Sequence, residues 1–78
     1  MSPPRKHSLT LGRHRTSVSL EDPFWAGLRE MAALEGLGIN ELARRIDAER
    51  GAETGLATAI RLAVLDHYRV LASKASGS

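Results

Sequence analysis

Between Arg13 and Leu20 the chain reads Arg-His-Arg-Thr-Ser-Val-Ser-Leu. In an extended strand this period of two sends Arg13, Arg15, Ser17 and Ser19 to one face and Thr16, Val18 and Leu20 to the other. The first face carries guanidinium forks, which only donate hydrogen bonds, beside hydroxyls, which donate and accept. Such groups bind phosphates and base edges. The second face is apolar enough to be buried. No other stretch reads as a strand, so the backbone donors and acceptors of this one require a partner, which the same strand of a second copy supplies. The expected product is an intersubunit two-stranded antiparallel ribbon, a width that fits the major groove of duplex DNA.

Catalytic chemistry is not expected. The 78 residues include no cysteine, which removes a thiol nucleophile, a disulfide framework and a thiolate metal site. There is no Gly-rich phosphate loop followed by Lys and Ser/Thr, and no Ser, His and Asp arrangement. His7, His14 and His67 fall on three different elements without ligand spacing and read as solvated or packed, so neither metal nor cofactor is anticipated. Glu41, Asp47, Glu49 and Glu53 read as a solvated helix face. Trp25 reads as a lid over the core or a dimer contact, and Tyr68 as a core residue with its hydroxyl hydrogen-bonded.

The formal net charge of +2 is unevenly spread. The first twenty residues hold Arg5, Lys6, Arg13 and Arg15 and no Asp or Glu, whereas the remainder is net acidic. A basic segment leading into a basic strand face suits attraction to phosphate. No run has the length of a membrane span and the N-terminus lacks the apolar core of a signal peptide, so a cytoplasmic protein is expected, nucleoid-associated when bound to DNA. So short a chain buries little apolar surface alone, which favours oligomerisation.

The elements that must position the strand follow from periodicity. Residues 1–9 form a basic flexible arm, and a strand spans 10–20. Asp22-Pro23 starts a helix over 23–35, with Phe24, Leu28, Met31 and Ala32 on one stripe. Gly36-Leu37 stops it. A second helix covers 39–50, with Ile39, Leu42, Ala43 and Ile46 apolar and Glu41 spaced to pair with Arg45. Gly51 and Gly55 interrupt the pattern, and a third helix covers 56–71, with Leu56, Ile60, Ala63, Val64, His67, Tyr68 and Leu71 aligned. Residues 72–78 form a flexible tail.

The strand Arg15-Thr16-Ser17-Val18-Ser19-Leu20, the helix start Glu21-Asp22-Pro23-Phe24-Trp25 and the turn Gly36-Leu37-Gly38-Ile39-Asn40-Glu41-Leu42 resemble the ribbon-helix-helix DNA-binding family, the Arc and MetJ repressor class. With Ile46 to Gly51, Ala59-Ile60-Arg61 and Val64 to Arg69, the chain looks like an alphaproteobacterial, hence bacterial, ribbon-helix-helix subgroup. The resemblance spans Arg13 to Arg69. It implies a mainly α fold with one N-terminal strand and an intertwined homodimer joined through the ribbon; the sequence departs from the family where Gly51 to Gly55 split the second helix, normally continuous, into two pieces. It also implies that Arg15, Ser17 and Ser19 read base edges, that Arg13 lies near a phosphate, and that the amides of Gly38, Ile39 and Asn40 clamp a phosphate. Thr16, Val18, Leu20, Leu28, Leu42, Ile46, Ile60 and Val64 would form the dimer core. The implied function is a sequence-specific DNA-binding transcriptional regulator, a repressor by class. The alternative is the same scaffold serving protein interaction or small-ligand binding, with a protein or small-molecule effector.

Overall fold

The computed structural model describes residues 3–76, so the outermost residues of the expected arm and tail lie outside it. Two strands, β1 (Arg5–Leu11) and β2 (His14–Leu20), precede three helices, α1 (Asp22–Glu35), α2 (Ile39–Glu49) and α3 (Leu56–Ser76).

The single strand over 10–20 and the flexible arm over 1–9 are corrected by this order. β1 pairs antiparallel with β2 in a register running from Arg5 opposite Leu20 to Leu11 opposite His14. The strand therefore finds its partner within its own chain, and pairing β2 requires no second copy. The reason lies in the sequence: His7, Leu9 and Leu11 repeat with the same period as Thr16, Val18 and Leu20, and both strands show one burial pattern. Gly12 lies in the turn between the two strands. It occupies the first central position of a two-residue turn with φ 65°, while Arg13 keeps a negative φ, the arrangement of a II′ hairpin.

The helices differ from expectation in detail. Asp22 and Pro23 lie in the first turn of α1, but no side chain caps it; the carbonyl of Glu21 accepts from the amides of Phe24 and Trp25. Gly36 ends α1 in the left-handed region, and the amide of Leu37 reaches back to the carbonyl of Ala32 at 2.9 Å, closing a Schellman turn. Arg45 pairs with Glu35 through two 2.8 Å hydrogen bonds that tie α2 to α1, leaving its expected partner Glu41 to accept from the Gly38 amide. α2 and α3 are separated by residues 50–55, where Arg50 holds Asp47 and the carbonyl of Thr54. α3 continues past residue 71 through the expected tail, since Ala72 to Ser76 offers no helix breaker.

One face of the hairpin and one stripe of each helix enclose the core. Val18, Leu20, Leu28, Leu42, Ile46, Ile60 and Val64 are buried within a single chain, joined by Leu9, Leu11, Met31, Ala32 and Ala43, while Thr16 is half-buried. Side chains expected to meet across two copies therefore pack inside one. Gly27 sets how closely α1 approaches α3. A Cβ there would lie 2.6 Å from Cγ1 of Val64 and 3.3 Å from the Tyr68 ring. Val64 is β-branched and stiff, so a larger residue at position 27 must move a helix, at a cost of about 1–3 kcal/mol.

A candidate nucleic-acid interface

The hairpin buries its apolar face on the helices and leaves the other open. Lys6, Ser8 and Thr10 of β1 stand opposite Ser19, Ser17 and Arg15 of β2, and all six are exposed. Arg13 sits in the turn at the tip, also exposed. Arg15, Ser17 and Ser19 thus fall where the strand period puts them, whereas Arg13, expected on the same strand face, lies in the turn because the hairpin reverses at Gly12. Lys6, Ser8 and Thr10 were missed; their signal was the alternation of Leu9 and Leu11, read as part of an arm and a strand start. Among the described residues Lys6, Arg13 and Arg15 enter no ion pair, and the hairpin contains no carboxylate. The face is therefore a ribbon of cations and hydroxyls with no competing anion.

Three contacts fix its orientation. His7, on the buried side of β1, stacks on Trp25 of α1 with ring centroids 3.9 Å apart and planes within 7°, so Trp25 covers the inner side of the ribbon. The amide of Thr10 donates to Oδ1 of Asn40 at 2.9 Å, which brings the start of α2 against the β1 edge. Arg61 of α3 donates to both carboxylate oxygens of Glu21, at 2.8 and 3.1 Å, and to the carbonyl of Ser19 at 3.2 Å, which ties the end of β2 to α3.

Gly38, Ile39 and Asn40 lie at the start of α2, beside the ribbon through the Asn40 contact. The Gly38 amide already faces Oε1 of Glu41 at 3.5 Å, half of a capping box, since glycine offers no side chain for the reciprocal bond. The Ile39 and Asn40 amides belong to the first turn of a helix and have no partner in the preceding turn.

The Arg61 guanidinium, with a further contribution from the backbone amide of Glu21 itself, holds the Glu21 carboxyl below its ordinary value of 4.5. A carboxyl lowered on folding stabilises the native state above the unfolded value, and that contribution is lost as pH falls through the folded one. Urea midpoints should therefore drop as pH falls below about 4.5, and Glu21→Gln should flatten this part of the profile. An acid limb of equal steepness in the variant would place the sensitivity elsewhere.

Among the described residues no group of three His, Cys, Asp or Glu could hold a metal ion, and no helix is long and apolar enough to cross a membrane. No curated protein and no solved structure matches the chain. A family model described as a ribbon-helix-helix domain matches residues 4–68, which begins before β1 and ends within α3. That span takes in both strands, α1, α2 and most of α3, and extends the sequence resemblance N-terminally over the strand it had missed. On that match the chain belongs to the ribbon-helix-helix domain family.

Proposed function

We propose that this chain is a transcriptional regulator that acts as a homodimer and reads the major groove of duplex DNA with its hairpin. The open face of the hairpin carries the proposal: Lys6, Ser8, Thr10, Arg15, Ser17 and Ser19 point outward from a two-stranded ribbon, the width the groove admits. Arg15 can fork onto O6 and N7 of guanine, and Lys6 can reach the same acceptors or a phosphate. The hydroxyls contact several bases and discriminate weakly. Arg13 at the tip and the Ile39 and Asn40 amides beside β1 serve the flanking phosphates. Phosphate contacts fix register, and the ribbon supplies sequence preference.

Titrating a labelled random duplex with the protein across a salt series tests this reading. Binding should weaken linearly on a log-log scale, with a slope of about −0.9 per phosphate neutralised. Absence of binding at low salt would move the assignment to the alternative, a ribbon-helix-helix scaffold for protein interaction or small-ligand binding. One observation favours that alternative: a largely apolar depression of about 360 Å³ between α1 and α3, lined by Glu30, Ala33, Leu34, His67, Tyr68 and Leu71.

A further inference from the structure

Base edges and phosphates are met by different elements of this chain, and recognition that uses both needs them at a fixed separation. Arg15 lies on β2, and its direct cross-strand partner is Thr10 of β1. The Ile39 and Asn40 amides open α2, which the chain reaches only after the whole of α1. Connectivity therefore leaves the distance between the Arg15 rung and the start of α2 to tertiary contacts.

One polar contact spans that distance. Leu11 and His14 close the two-residue turn as a hydrogen-bonded pair, so the next rung, Thr10 and Arg15, is a pair whose backbone groups face away from the opposite strand. Facing outward, the Thr10 amide donates to Oδ1 of Asn40 at 2.9 Å, across 30 residues of sequence. An asparagine near a helix start ordinarily caps its own first turn. Here Gly38 holds the N-cap position and Asn40 lies two residues inside, so its carboxamide serves the hairpin instead. Thr10 and Asn40 are both exposed, and their bond supports no core. The hydrogen bonds of Arg61 to Glu21 and Ser19 hold the other end of the ribbon, at the end of β2. Asn40 is thus the polar tie at the end that carries Arg13 and Arg15.

We propose that the Asn40 side chain is a positioning residue for DNA recognition: it holds the Arg15 rung at the separation from the α2 amides at which the guanidinium meets a base edge while those amides hold a phosphate. The role presupposes the duplex reading above and adds to it the residue that keeps its two parts in register. It acts through Arg15 and needs no contact of its own carboxamide with DNA.

Binding of the full chain to labelled duplexes, some random and some selected by the wild-type protein, tests this role. Asn40→Ala should lose about tenfold in affinity on selected duplex, the order of a displaced arginine–guanine contact, and much less on random duplex, with the salt slope unchanged. Added to Arg15→Ala it should cost nothing further, because no guanidinium is left to place, whereas independent sites multiply their losses. Asn40→Asp keeps the acceptor, so it should keep the preference for selected duplex while its charge weakens binding to both kinds. Glu35→Ala breaks the exposed tie between α1 and α2 and should leave that preference as in wild type. Hydrogen exchange reads the bond itself: the Thr10 amide should exchange slowly in wild type and in Asn40→Asp, and fast in Asn40→Ala.

Losses that multiply in the double variant, or an Asn40→Ala loss equal on both kinds of duplex, would overturn the positioning role and leave the duplex reading standing. So would a fast Thr10 amide in wild type, or a preference lost in Glu35→Ala or Asn40→Asp. A wild-type protein that binds no duplex at low salt would overturn both.

Discussion

Val18→Asp should unfold a single chain, and Ser17→Asp, one residue away, should leave it folded and silence its binding to DNA. Val18 is 4% exposed between the hairpin and the helices, so a carboxylate there is buried without a partner. Leaving a charge buried and unpaired costs on the order of 3–5 kcal/mol. A chain of this size has a total stability of roughly 4–12 kcal/mol, so this cost removes a large share of it and, at the lower end, all of it. Ser17 lies on the open face, where the same side chain meets water and disturbs no packing. It does place an anion in the middle of the six-residue face, next to Arg15 and opposite Ser8. Circular dichroism with urea titration reads the first effect, and anisotropy on labelled duplex reads the second. A folded Val18→Asp chain would contradict the packing of the ribbon against the helices. Unimpaired binding by Ser17→Asp would remove the ribbon from the interface.

The second large effect separates the two strands of the ribbon as readers. Arg15→Ala and Lys6→Ala delete exposed side chains, so urea midpoints should stay within about 0.5 kcal/mol of wild type. On duplexes selected by the wild-type protein, Arg15→Ala should lose about 1–3 kcal/mol of affinity per site, and its loss on random duplex should be smaller. Lys6→Ala should weaken selected and random duplexes alike and reduce the salt slope by about one unit if Lys6 meets a phosphate. It should behave as Arg15→Ala does if Lys6 reaches a base. A Lys6→Ala protein equal to wild type in both tests would confine reading to β2. Equality of both variants with wild type would favour the interaction scaffold.

Much of this site was legible in the sequence because strand and helix periods are local. The outward set Arg15, Ser17 and Ser19 followed from the pleat alone, and the Gly36-Leu37 stop from the left-handed φ that glycine allows. What escaped were features decided by tertiary choice. β1 contains only two large apolar residues, Leu9 and Leu11, and its basic Arg5-Lys6-His7 opening looks like a solvated tail until the hairpin gives those residues a partner strand and Trp25 gives His7 a ring to stack on. Arg45 had an acidic residue at ideal spacing on its own helix, yet it pairs with Glu35, because the Schellman turn folds α2 back alongside α1. Gly27 carried no signal at all: inside a helical stripe a glycine reads only as a weak point, and its use appears once Val64 is seen against it. The same limit applied to assembly. Apolar side chains assigned to a shared core are satisfied within one chain.

Because both strands hang from the two-residue Gly12-Arg13 turn, assembly of the ribbon is a first-order process. A hairpin of this kind closes in about 1–10 μs, and only the docking of its own helices is needed to retain it. The rate does not depend on how many copies a cell holds. A chain present in a handful of molecules, or released alone from a ribosome, already carries the six-residue open face. Protein concentration then never decides whether a ribbon exists.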